Sequence, residues 1–199
     1  MNYLESVAEL ANRYFVMRHG QSKANLAGVI VSRIDSDRGG DFGLSALGRE
    51  QARTAATASG LPAGTMICSS DFTRAWETAE IVREMIGAPA VTLAEALRER
   101  YFGDWDGTGT ENYATVWADD EAGRTGHGAE PVTSVLDRTT AFVARLEKEH
   151  QDQDILLVSH GDALQVLQAG FQHLDPARHR SLPHLETAEV RRLGLSRAR

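Results

Sequence analysis

Cysteine is nearly absent, with Cys68 the single thiol in 199 residues. An internal disulfide and any multi-thiolate metal site are thereby excluded, in keeping with a reducing compartment. Long apolar runs are missing too. The longest, such as 155–158, fall far short of the roughly 18 residues of a membrane-spanning helix. Residues 1–13 carry Glu5 and Glu9, and no basic stretch leads into an apolar one. They do not read as a secretory signal, so the expected location is cytoplasmic. Lysine is scarce, since Lys23 and Lys148 are the only two among 21 basic residues, and 28 acidic residues give a net charge of −7. That balance argues against a general nucleic-acid surface and against an anionic membrane surface, so any anionic ligand is small and met locally. The positive charge is almost all arginine, whose planar fork suits bidentate binding of carboxylate or phosphate.

No repeat, linker of Pro, Ser and Gly, or block of one charge sign divides the chain, and its 42% hydrophobic and 25% charged residues are ordinary for a globular protein. One domain over 1–199 is expected, able to bury roughly 70 to 75% of the surface its unfolded chain exposes. Strand-like and helix-like segments alternate, which is the α/β signature. Short apolar runs at 14–18, 65–68, 90–93 and 155–159 read as strands buried on both faces. Between them, Ser45 caps a helix running to Ser59, whose Ala52, Ala55, Ala56 and Ala58 suit close packing on a sheet. A second helix is predicted over 71–86, stopped by Gly87. Leu136, Thr140, Val143 and Leu146 mark a third helical face, and Asp162 is predicted to cap a fourth helix. Weak alternation over 186–193 reads as an edge strand, along which a homodimer could pair, and 1–13 as a short leading helix that only packs. The stretch of about 103–131 is rich in Gly, Thr and acids and has little periodicity. It reads as an excursion, a loop or small cap, that covers a site.

Arg18-His19-Gly20 follows the first predicted strand and Ser159-His160-Gly161 the last of the apolar ones. The carboxyl ends of strands in an open parallel sheet border the crevice where ligands bind, so two histidines remote in sequence are placed to face one pocket. Arg74 lies in a helix's first turn, where the macrodipole disfavours a cation, and this broken local rule points to function. Glu99 follows the third predicted strand. Two His, two Arg and one Glu, each just beyond a strand, describe phosphoryl chemistry. Two arginines and a protonated histidine neutralise a phosphoryl group in flight. A neutral imidazole among those cations serves as nucleophile. A carboxyl group protonates the departing oxygen and then activates water.

Taken together, these segments resemble the histidine phosphatase superfamily, also called the phosphoglycerate mutase-like family, over roughly 14–193. Val16-Met17-Arg18-His19-Gly20-Gln21-Ser22-Lys23-Ala24-Asn25 resembles its first signature, Leu44-Ser45-Ala46-Leu47-Gly48-Arg49-Glu50-Gln51-Ala52 its next helix start, Ser69 to Ala79 the segment with the second arginine, and Val158-Ser159-His160-Gly161 the segment with the second histidine. The resemblance implies a three-layer α/β/α sandwich with a mostly parallel central sheet. It also implies a phosphomonoesterase of the histidine acid phosphatase type, using neither metal nor other cofactor. By position, His19 becomes the phosphohistidine, Arg18, Arg74 and His160 hold the phosphoryl oxygens, Asn25 assists and Glu99 is the proton donor. Asp104 and Asp106 compete with Glu99 for that role, and Arg100 is a candidate substrate contact. His150, His173, His179 and His184 are expected to be surface or structural, with His127 the outside candidate for touching substrate.

The 23 residues between Gly107 and Pro131 are short for a mutase of this family, and Phe102-Gly103-Asp104-Trp105-Asp106-Gly107 is nearer the phosphatase form. Hydrolysis of a small phosphorylated metabolite is therefore the expected activity. Glu99-Arg100 resembles the mutase pair, which keeps a bisphosphoglycerate-dependent phosphoglycerate mutase as an alternative. A catalytically silent module that only binds a phospho-ligand is the third.

Overall fold

The computed structural model describes residues 2–196. Strands β1 (Arg13–Arg18), β2 (Met66–Ser69), β3 (Thr92–Leu93), β4 (Asp154–Ser159) and β5 (Val190–Leu193) form one sheet in the order β3-β2-β4-β1-β5. All neighbours run parallel except β5, which is antiparallel to β1. Helices α1 (Lys23–Ala27), α2 (Ile34–Gly39), α3 (Ala46–Ser59), α4 (Thr73–Ile86), α5 (Tyr113–Glu121), α6 (Val132–Glu149) and α7 (Gly161–Phe171) complete it, joined by short 3-10 turns. Among the described residues no helix is long and apolar enough to cross a membrane.

The central strand shows why the layers form. Ile155 and Leu157 join one cluster with Phe142, Val143, Leu164 and Leu167 of α6 and α7. Leu156 and Val158 join the opposite cluster with Ala56 of α3 and Ala75, Ala79 and Val82 of α4. Successive side chains of a strand point to opposite faces, so a continuous apolar run demands helices on both. Each of these four side chains is fully buried, a contribution of about 1.5–3 kcal/mol apiece. The strand that ends at Ser159 is thus the rigid reference for whatever follows it.

Ser45 caps α3 by accepting from the Gly48 amide, as expected. Four expectations give way. Helix α4 starts at Thr73 rather than 71, because Asp37 of α2 accepts from both the amide and the hydroxyl of Thr73 (2.8 Å each) and closes the helix from outside. The N-cap position of α7 is held by His160, whose side chain makes no capping bond, and not by Asp162, which lies inside the first turn and turns its carboxylate elsewhere. The strand predicted over 90–93 shrinks to two exposed residues because β3 is a sheet edge, with Leu93 54% exposed. The excursion at 103–131 is not bare loop, since it holds α5, whose Val116 and Asp120 face inward. Among the described residues of the leading segment, helical structure is confined to the 3-10 turn Tyr3–Ser6, which buries Leu4 in the core.

Candidate active site

In the β1–β4 ladder Arg18 lies opposite Ser159, so His19 and His160 leave the sheet side by side. The His19 amide donates to the Ser159 carbonyl (3.0 Å), and the two imidazole centroids stand 5.2 Å apart, edge to face. The loop after His19 has no slack. Gly20 and Gly48 approach so closely that a methyl on Gly48 would run into the Gln21 carbonyl oxygen. This seats the histidine loop on the start of α3.

His19 is almost wholly buried. Its Nδ1 is 2.7 Å from the Gly20 carbonyl, an acceptor, so that nitrogen carries the proton. Nε2 keeps its lone pair and accepts from Arg74 Nε at 3.2 Å. Burial first, then the guanidinium groups of Arg74 and Arg18, hold the His19 pKa well below the usual histidine range. Arg74 itself is 4% exposed and donates to the Val31 carbonyl (2.9 Å) and towards Asp37 (3.4 Å). Asp37 thus fixes both the helix start and the arginine within it, a role no signal in the sequence marks.

His160 is fully buried between the Phe72 ring and Ser70, whose hydroxyl is 2.9 Å from Nε2. Its pKa is likewise well below normal, through burial first, then Arg74 and His19. The sequence reading of a protonated second histidine is therefore corrected for the free protein: His160 is neutral. The other ring nitrogen of His160, Nδ1, is a buried atom with no hydrogen-bond partner among the described residues. Arg18 presents a second such atom, Nε, while its Nη1 contacts the Leu185 carbonyl (3.0 Å) and His184 Nε2 (2.7 Å). A buried polar atom left without a partner costs about 1–3 kcal/mol.

Glu99 accepts from the amides of Arg100 (3.0 Å) and Ala163 (3.2 Å), which sets its carboxyl group at the amino end of α7. Burial and then the charge of Asp162 raise its pKa, with Arg74 and the two amides pulling the other way. A carboxyl group so perturbed holds a proton more readily than a surface glutamate. Asn25 does two things at once. Its Oδ1 accepts from the Ser22 amide in the capping box of α1, and the residue lines the cavity beside Arg18.

Several sequence candidates lie elsewhere. Arg100 is 1% exposed and forms a bidentate pair with Asp120 (2.6 and 2.7 Å) and a further contact with Asp162 (3.3 Å). Its guanidinium is consumed inside the protein and does not line the cavity. Asp106 binds the Ser32 amide and hydroxyl, the Arg33 amide and the Ser36 hydroxyl. Burial pushes its pKa up, but these bonds outweigh it and the net shift is downward, the wrong sense for an acid. Asp104 is exposed. His127 is exposed and lies against Trp105 (4.9 Å), outside the cavity lining. His184 is exposed, as expected, and also lines the cavity, where burial, then Arg18 and Arg180, lowers its pKa. His179 is structural, fully buried and 3.0 Å from Asp162.

The cavity of about 340 Å³ is bounded by Arg18, Asn25, Glu99, Tyr113, Trp117 and Arg180. A larger cleft of about 770 Å³ also meets Glu99; neither His19 nor His160 lines either space, but Arg18 and Asn25 line only the smaller one. Tyr113 and Trp117 stack in parallel at 5.4 Å, one turn apart on α5. Their i, i+4 spacing was the one signal in the excursion that sequence reading missed, and Arg180 lay unremarked in a basic run. Helix α5 is fastened over the site by Asp120 to Arg100 and by Trp117 Nε1 to Asp162 (2.8 Å).

The two neutral histidines make the free protein acid-sensitive. Their folded pKa values are depressed, so below the unfolded value the unfolded chain takes up protons that the folded chain refuses, and stability falls with pH. Above about pH 6.5 they contribute no slope; below it each contributes up to about 1.4 kcal/mol per pH unit. Denaturant midpoints should fall between pH 7 and 5.5, and the slope should flatten when both positions carry glutamine.

Residues 14–199 match the Histidine phosphatase superfamily (branch 1). The chain is similar to the glucosyl-3-phosphoglycerate phosphatase of Mycolicibacterium vanbaalenii, 32% identical over 173 residues that cover 80% of this chain and 73% of that protein. It is also similar to the adenosylcobalamin/alpha-ribazole phosphatase of Salmonella typhimurium, 31% identical over 164 residues, covering 78% and 77%. Among solved structures, mycobacterial glucosyl-3-phosphoglycerate phosphatase complexed with VO3 overlays with a TM-score of 0.77 at 29% identity, covering 90% of each chain. Its complex with inorganic phosphate gives 0.74 at 28%, covering 90% of this chain and 88% of that one. The crossed sheet order, the paired histidines at the ends of β1 and β4, and these likenesses agree: the chain belongs to the histidine phosphatase superfamily.

Proposed function

We propose that the protein is a phosphomonoesterase that hydrolyses small phosphate esters, without a metal, through a phosphohistidine on His19. The observation that carries this reading is the unprotonated Nε2 of His19, which accepts from Arg74 Nε at 3.2 Å, together with Arg18 and His160, each of which has a buried nitrogen without a partner among the described residues. Nε2 attacks phosphorus as the P–O bond to the alcohol breaks, and the electron pair of that bond goes to the leaving oxygen. Glu99 gives that oxygen its proton. Arg18, Arg74 and His160 hold the three phosphoryl oxygens, and Asn25 assists. The ionised Glu99 then takes a proton from water, whose oxygen bonds to phosphorus while the P–N bond returns its electrons to Nε2. Inorganic phosphate leaves, and the enzyme is restored.

This is phosphohistidine chemistry of the histidine acid phosphatase type. Support for hydrolysis over phosphoryl exchange comes from the burial of Arg100, which removes the mutase-like member of the Glu99-Arg100 pair from the cavity. The reading also places the enzyme in the cytoplasm, acting on a small metabolite, with β5 the edge along which two copies would pair. The test is a panel of phosphate esters with and without a chelator. Inorganic phosphate released equally in both, together with an acid-labile, base-stable phosphoenzyme on rapid quench, is the expected result. Isomerisation of 3-phosphoglycerate only with a bisphosphoglycerate primer would mark a mutase, and binding without turnover a silent module.

A further inference from the structure

Arg180 is a cation that the hydrolytic steps leave unused. It projects from the 3-10 turn Pro176–Ser181 into the cavity that holds Arg18 and Glu99. Its guanidinium lies over the Trp117 indole at 3.8 Å, and one Nη donates to the side-chain oxygen of Gln165. Among the described residues no carboxylate pairs with it. Asp162 and Glu99, whose charges it feels, form no ion pair with it: Asp162 is engaged by Arg100, His179 and Trp117, and Glu99 accepts from the Arg100 and Ala163 amides. The contrast with other partly or wholly enclosed arginines is plain: Arg98 has Asp71, Arg100 has Asp120, and Arg138 has Glu130. Arg18 also lacks a carboxylate, but the transferred phosphoryl group supplies its counter-charge. The reaction brings Arg180 only the distant charge of the ionised Glu99, with no ion pair between the two among the described residues.

An enclosed guanidinium is costly without an anion, and burial lowers its pKa, with Arg18 acting in the same sense. One face is covered by indole and one nitrogen is taken by Gln165, which leaves an edge of N–H donors for a planar two-oxygen acceptor. We propose that Arg180 is a specificity-determining residue that binds a carboxylate on the alcohol portion of the substrate. The substrates are then phosphomonoesters of hydroxy acids, an assignment that rests on the hydrolase reading above. Trp117 holds the guanidinium in plane, and α5 supplies the wall against which the carbon skeleton between the two anions packs.

Two phosphonates of equal length test this on the intact chain. 3-Phosphonopropionate carries the carboxylate and propylphosphonate a methyl in its place, and neither has a P–O–C bond to break, so titration calorimetry reads binding without turnover. The wild-type protein is expected to bind the carboxylated compound at least about tenfold tighter. Arg180→Met should reduce that ratio to about twofold or less, and Arg180→Lys, which keeps the charge without the fork, should leave it in between. A ratio near one in the wild type overturns the assignment. So does a ratio that survives in Arg180→Met, whether both affinities hold or both fall together, since Arg180 would then serve the phosphoryl group or nothing. If Arg180→Met does not fold, the wild-type and Arg180→Lys ratios decide by the same criteria. Failure of the hydrolase reading leaves a different mark, namely discrimination between the phosphonates with no phosphate released from any ester.

Discussion

Alanine at position 19 lowers kcat by about 10⁴-fold or more and eliminates the acid-labile phosphoenzyme, because no other group can form the covalent intermediate. The surrounding geometry makes the expectation specific. Nδ1 is tied to the Gly20 carbonyl, so only Nε2 is available to attack, and burial, then Arg74 and Arg18, disfavours protonation of the ring. His160 is not expected to stand in, since its Nε2 is engaged with the Ser70 hydroxyl at 2.9 Å. Steady-state kinetics with a rapid-quench assay on His19→Ala decides the matter. Activity within tenfold of the wild type, or a phosphoenzyme of undiminished amount, would remove the nucleophile from the mechanism.

Glutamine at position 99 has a double effect. Loss of the proton donor lowers the phosphorylation rate by about 10²- to 10⁴-fold, most for alkyl esters and least for an aryl ester whose phenolate leaves unaided. At the same time the protein becomes more stable at neutral pH. Glu99 has a raised folded pKa, so its favourable contribution is complete below the unfolded value near 4.3 and is lost as pH rises through the folded one. Above that window the ionised carboxylate is a burden next to Asp162. The amide keeps an oxygen for the Arg100 and Ala163 N–H groups and carries no charge. The melting temperature of Glu99→Gln should exceed that of the wild type at pH 8, with the gap closing towards pH 4. A variant that is slower and also less stable at pH 8 would mean that Glu99 serves the fold rather than the proton.

Much of this was legible from the chain. Apolar runs ending in Arg18-His19-Gly20 and Ser159-His160-Gly161 imply strands buried on both faces, and the ladder does set their ends side by side. The small residues of α3 and the single apolar face of α6 are equally local signals. What escaped was whatever depended on partners distant in sequence. Arg100 reads as a free cation until Asp120 and Asp162 are brought to it, and Asp162 reads as a cap until Arg100, Trp117 and His179 claim it. Asp37 could not be found at all, because its work is on Thr73 and Arg74. Helix α5 was missed because its nine residues mix an aromatic pair with acids in no clear stripe. The strand over 90–93 was overestimated because hydropathy does not say which strand will lie at an edge.

The fastening of α5 bears on how ligands are sorted. Asp120 grips Arg100 inside the protein and Trp117 grips Asp162, so the roof is assembled when the chain folds and does not wait for a guest. Sieving by shape and charge then happens on arrival, ahead of any bond making, and an ill-fitting ester is turned away by weak binding more than by slow turnover. The entropy of ordering that roof is lost once per molecule rather than once per catalytic cycle.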